Sequence, residues 1–166
     1  MIRVDIETII MASGPVPSVI VLREREGAAG SSSPLRALSI QTGSYEAAAL
    51  SRGIEGAERK RPITHDLFAS TLRETGCKIE RVEITRVEAP VFYADLVVAD
   101  AAGATHHLDA RPSDALALAV RTNAPVYVED DVMNRAGTVG KRDNGNSEEE
   151  LRRFDEFVQS LSPTDF

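Results

Sequence analysis

The sequence predicts an α+β fold, a mostly antiparallel sheet of about six strands with helices packed on it. Three observations carry that expectation. Two groups of three β-rich segments are each followed by helical periodicity, without regular strand–helix–strand alternation. No Gly-rich phosphate loop supports a dinucleotide-binding sheet. The helix that opens at Pro112 has no polar face, which calls for burial on all sides. At 166 residues with 42% hydrophobic content, the chain can bury an ordinary core without staples.

Residues 2–12 and 17–24 read as strands joined by a turn at Ser13, Gly14 and Pro15, and residues 35–41 as a third. The intervening GAAGSSS of residues 27–33 reads as a mobile surface connection. A helix follows over 44–54, with Ser44 as its N-cap, Ala47, Ala48, Ala49 and Leu50 as strong helix formers, and Gly53 and Gly56 closing it. The basic run Arg59, Lys60, Arg61 leads through Pro62 to a second helix capped by Thr64. Its stripe of Leu67, Phe68, Thr71 and Leu72 ends at Gly76. Strands come next at 78–88, 91–99 and 104–110, joined by turns at Ala89–Pro90 and at residues 101–103; Phe92, Ala94, Leu96 and Val98 share one face. Pro112 suits the first position of the next helix because its missing N–H costs nothing there, and Ser113 and Asp114 fill the first turn. Arg121, Asn123 and Pro125 end it; Val126–Val128 form a short last strand, and an acidic helix begins near Glu129.

Three strands plus a helix, met twice, suggest an internal duplication, and Arg61, Pro62, Thr64, His65, Asp66, Leu67 echo Arg111, Pro112, Ser113, Asp114, Leu116. The shared grammar of helix starts explains the echo equally well. Domain organisation follows as 1–136, a polar Gly-rich linker at 137–146, and an acidic C-terminal helix and tail at 147–166. Leu151, Phe154, Phe157, Val158 and Leu161 give that helix an apolar stripe to bury on the body or on another subunit.

A lone cysteine, Cys77, excludes an internal disulfide and a four-cysteine zinc site, and a reducing cytoplasm is the expected compartment. Arg3, Asp5 and Glu7 interrupt the amino-terminal apolar residues, so no signal peptide is read there, and no apolar run is long enough to span a bilayer. The net charge is −7, and the 15 basic and 19 acidic residues before Gly137 leave that part at −4. Nucleic-acid contact against such a field requires a local basic patch or a bound metal ion.

Charge gathers at two helix mouths. Strand alternation and one helical turn place Asp109, Arg111 and Asp114, with His107, on a common side; Asp109 and Asp114 are candidate ligands for Mg²⁺ or Mn²⁺, with Arg111 steadying a phosphate. The structural alternative is a helix-end aspartate beside an Asp109–Arg111 ion pair that locks the corner. At the second mouth, Thr64, His65 and Asp66 lie beside Arg59, Lys60 and Arg61. His65 is the candidate proton carrier or phosphate contact, while Thr64 and Asp66 also suit capping. Glu46, in the first turn of its helix, is a further candidate for proton transfer or merely a favourable helix-start acid. His106 and His107 are neighbours on a strand, hence on opposite faces. No nucleophile elbow, HExxH helix or paired CxxC motif is present.

GSYEAAAL, RPITHDLFASTL, FYADLVV and LDARPSDALALAVRTNAPVYV, in that order, resemble the motifs of the bifunctional nuclease domain family. The resemblance spans most of residues 1–135 and implies an α+β fold, self-association, and the nuclease activity on RNA and DNA for which plant members were named. Glu46, His65, Asp66, Asp109, Arg111, Ser113 and Asp114 match its motifs. Two positions depart from it: the family often has a tryptophan where this chain reads residues 39–43, and commonly an acid where His107 stands. The leading expectation is a metal-assisted phosphodiesterase in which Asp109 and Asp114 hold Mg²⁺ or Mn²⁺, Arg111 contacts phosphate, and His65 or Glu46 moves the proton. Arg59, Lys60, Arg61 and Ser113 would bind the RNA or DNA substrate. The competing expectation is a non-enzymatic homo-oligomeric module that binds a protein or a small anion.

Overall fold

A computed structural model describes residues 1–25, 35–56 and 61–139. The expected 27–33 connection, Arg59 and Lys60, and the C-terminal helix lie outside the described residues. A meander of β1 (Ile2–Ile10), β2 (Ser18–Glu24) and β3 (Arg36–Thr42) runs into α1 (Ser44–Glu55) and then α2 (Thr64–Glu74). The second meander, β4 (Lys78–Glu88), β5 (Val91–Ala99) and β6 (Thr105–Ala110), runs into α3 (Pro112–Thr122). The chain then forms β7 (Val126–Val128), α4 (Asp130–Ala136) and β8 (Thr138–Val139).

All strands join one sheet in the order β6-β5-β4-β7-β1-β2-β3-β8, so it has eight strands where about six were expected. Every pairing is antiparallel except β4 with β7, where Val82, Glu83 and Ile84 align with Val126, Tyr127 and Val128. β8 pairs with β3 through Thr138 and Val139, which stood at the start of the expected linker. Each meander reaches its helix within two residues, making α1 the positional counterpart of α3. The Arg61–Leu67 echo belongs to α2 instead, and so does not align with that correspondence.

The core lies on one face of the sheet. Ile20, Leu22, Leu38, Val82, Ile84 and Leu96 from the strands meet Leu50, Leu116, Val132 and Met133 from the helices. α3 is buried along most of its length: the sheet covers it on β4 and β5, while α1 and α2 cover its outer side. Helix α4 touches both β3 and β4, strands four places apart. In a flat sheet that separation is about 19 Å, too far for a helix about 10–12 Å wide to bridge, so the sheet curls around its core.

Two readings of helix chemistry change. Gly53 does not close α1; it lies within it, where α3 crosses so closely that a Cβ would sit 2.5 Å from Arg121 Nη1 and 2.6 Å from Val120 Cγ2. Gly56, at φ 60°, is the left-handed residue that ends the helix. The N-caps are Gly43, Ile63 and Arg111, one residue before the expected Ser44 and Thr64. None supplies a side-chain cap, and in each helix the third residue is an acid: Glu46, Asp66 and Asp114. Leu67 and Phe68 are exposed, because α2 packs on α3 as an outer layer and only Ala69 and Leu72 reach the core.

Candidate functional site

The three first-turn acids converge with two arginines and a histidine where α1, α2 and α3 meet. Asp66 divides its carboxylate: Oδ2 accepts the Ile63 N–H at 3.0 Å, and Oδ1 accepts Arg121 Nε–H at 2.6 Å. Arg121 is nearly buried, and it also donates to the carbonyls of Ala117 (2.7 Å) and Ala49 (3.1 Å). One guanidinium therefore ties α2 to α3 and α1. This fixes His65, on the first turn of α2, against Asp114, on the first turn of α3.

The exposed half of the cluster is a chain of four candidate residues. Arg111 grips Asp114 with two bonds, Nε to Oδ2 at 2.6 Å and Nη2 to Oδ1 at 3.1 Å, while its Nη1 donates to Glu46 Oε1 at 3.0 Å. His65 Nε2 lies 3.2 Å from Asp114 Oδ1. Burial pushes the Asp114 carboxyl upward, but hydrogen bonds from Arg111 and His65 outweigh it and hold the group below the usual carboxylate range. Next to the ionised acid, Nε2 is the nitrogen that donates, and Nδ1 has no partner among the described residues. Arg111 is 64% exposed, and three of its five N–H groups are engaged, leaving two for a ligand.

His65 and Arg111 line the same groove of about 510 Å³, with Phe68 and Thr64 on the α2 wall and Leu108, Ala110 and Asp114 opposite. A second groove of about 610 Å³ meets it at Arg111 and is lined by Ser113, Pro112, Gly43 and Ser44. Ser113 is buried, and Arg61 is exposed before α2. A Cβ on Gly43 would overlap the Glu46 carboxylate, which folds back over the mouth of its own helix.

Asp109 also borders this groove but takes no part in its hydrogen-bond network. Leu96 aligns with Leu108 and Asp95 with Asp109, so strand alternation turns Asp109 to the face opposite α3, away from Asp114. The expected Asp109–Asp114 ion pocket and Asp109–Arg111 ion pair are not assembled: the alternation that gathers His107 and Asp109 excludes Asp114, and Arg111 pairs with Asp114 and Glu46. Asp109 has no hydrogen bond or ion pair among the described residues.

On that reverse face a different set meets. One ligand atom from each of Glu83, Asp95 and His107 lies within 4.8 Å of the other two, the one such group of three among the described residues. Sequence reasoning passed over both acids: Asp95 is the one charged residue of an otherwise largely apolar strand, while Glu83 is one of several charged residues along β4. His106 points the other way, to Asp100 at 2.8 Å, as neighbours on a strand must.

Fold and site define an α+β protein with one curved, mixed sheet and a charged groove at the mouths of packed helices. The chain belongs to the bifunctional nuclease domain family, whose domain it matches over residues 20–141. It is also 35% identical over 154 residues to an uncharacterized protein from each of two strains of Mycobacterium tuberculosis, covering 89% of this chain and 87% of theirs. Among the described residues, no helix is long and apolar enough to cross a membrane.

Proposed function

We propose that the groove between α2 and the β6–α3 corner hydrolyses phosphodiester bonds of RNA or DNA. The observation that carries the reading is the single Asp114 carboxylate shared by His65 and Arg111 on one open wall. The two remaining Arg111 N–H groups bind a phosphate oxygen, and His65 Nδ1 takes the proton from a water that attacks phosphorus while the P–O ester bond breaks and its departing oxygen is protonated by solvent. Asp114 acts as a positioning residue: it accepts Nε2–H, fixes the imidazole tautomer and favours the imidazolium that forms. Family membership supports this assignment, and the exposed Phe68 ring offers a face on which a base can stack. Arg61, exposed just before α2, supplies positive charge against the acidic body, and Arg59 and Lys60 adjoin it in the sequence.

The test is cleavage of fluorescent RNA and DNA oligonucleotides by the full chain, in EDTA and with Mg²⁺ or Mn²⁺. His65→Gln and Arg111→Met should each lose about 10²-fold or more, the scale of general acid–base catalysis. Activity that survives both changes, or that separates from the protein on a sizing column, refutes the proposal. A wild type without turnover in every arm favours the second reading, a homo-oligomeric binding module. The net charge of −7 and an arginine already engaged by two acids support that reading.

A further inference from the structure

We propose that Glu83, Asp95 and His107 form a divalent metal site on the reverse face of the sheet, suited to a first-row ion such as Zn²⁺ or Co²⁺ over Mg²⁺ or Ca²⁺. The site faces away from the groove of His65 and Arg111, and metal binding there does not depend on nuclease activity. Adjacent strands β4, β5 and β6 each supply one ligand, with Glu83 aligned with Asp95, and Asp95 aligned with Asp109 two residues beyond His107.

The spacing suits coordination better than hydrogen bonding. His107 Nδ1 lies 3.5 Å from Asp95 Oδ2 and 3.9 Å from Glu83 Oε2, and no hydrogen bond joins the three. Ligands about 2.1 Å from a tetrahedral zinc ion stand about 3.4 Å from one another, so small rotamer shifts close the site. Glu83 gives a second, separate indication. Its side chain is only 5% exposed, and Arg81 Nε at 2.5 Å engages Oε1 alone; Oε2 accepts no hydrogen bond and faces His107. No buried polar atom lacks a partner among the described residues, so Oε2 keeps some access to solvent, but the carboxylate as a whole is largely desolvated and a cation offsets that cost.

Charge along the row reinforces the argument. Asp109, Asp95 and Glu83 follow one another across three strands, an arrangement of like charges that destabilises a sheet. Among the described residues only Arg81 and His107 come within ion-pair distance of this row. A divalent ion offsets the excess negative charge, and the imidazole nitrogen favours a borderline ion over the hard cations that oxygen ligands alone would select.

Calorimetric titration of the EDTA-stripped, dialysed full chain with Zn²⁺ and Mg²⁺, and visible absorption of its Co²⁺ form, test the site. One Zn²⁺ per chain is expected, at least tenfold tighter than Mg²⁺, with a Co²⁺ band that lacks thiolate charge transfer. His107→Gln and Asp95→Asn should each weaken Zn²⁺ at least tenfold while keeping the wild-type far-UV circular dichroism; Cys77→Ser should change nothing. Both ligand positions are partly exposed, which favours folded variants. Absence of stoichiometric Zn²⁺ binding, wild-type affinity in both ligand variants, or equal affinity for Mg²⁺ overturns the assignment. Loss of binding in Asp114→Asn alone overturns it in favour of the helix mouth.

Discussion

Replacing Arg121 with alanine tests how the three helices are held. The side chain is 8% exposed and donates to Asp66 Oδ1 and to the carbonyls of Ala117 and Ala49. Alanine removes a guanidinium donor shared by three helices and leaves an acid and two carbonyls without it. Breaking a buried charged pair costs about 3–5 kcal/mol, and the lower end applies because Asp66 is about one-third exposed and water reaches it. Unfolding entropy near 2.1 cal/mol/K per residue gives ~0.3 kcal/mol/K for a domain of this length. A loss of about 3 kcal/mol therefore lowers Tm by about 10 °C. Thermal melts followed by circular dichroism, backed by calorimetry to establish two-state behaviour, provide the assay. A fall of less than about 3 °C would show that the helices are held by apolar packing and that Arg121 is incidental.

Gly53→Ala should also destabilise the domain, although alanine is the better helix former. The new Cβ would meet Val120 Cγ2, on a β-branched side chain that cannot turn aside, and the bonded Arg121 guanidinium. Overpacking of about 1–3 kcal/mol exceeds the roughly 1 kcal/mol gained in propensity, and a raised Tm would contradict the close α1–α3 crossing. Asp114 links stability to pH. Because folding lowers its pKa, its ionised form stabilises the domain above the unfolded value near ~4, and that contribution is lost as pH falls through the folded value. Wild type should therefore exceed Asp114→Asn in Tm at pH 6, with the gap closing toward pH 2–3; a constant gap would deny the Arg111 and His65 contacts.

Much of the fold can be read from local chemistry. Pro112 at the first helical position and Asn123 at the left-handed end bound α3 as expected, and the apolar face of 91–99 identifies β5. Long-range pairings cannot be read so. Nothing in Val126–Val128 says that it will lie parallel to β4 and antiparallel to β1. The candidate site divides along the same line. Glu46, His65, Arg111 and Asp114 are visible because first-turn acids and a nearby histidine leave a local signature, and tertiary packing then joins them. Asp109 was misplaced because one residue of strand alternation decides the face. Glu83 was hidden because it lies between β5 and β7, a long-range pairing, and because register shifts between Ile79 and Arg81 and between Ile84 and Arg86 disturb the period of its strand.

Strand β7 also governs when the sheet can be completed. Three residues, reached only after two meanders and three helices have been synthesised, separate β1 from β4 and pair with both. Until Val128 leaves the ribosome, the first and second meanders are two unjoined sheets, each exposing an edge that will later be interior. Folding of this domain is therefore tied to the end of its synthesis, and a chain stopped before Val126 would lack the strand that joins its halves.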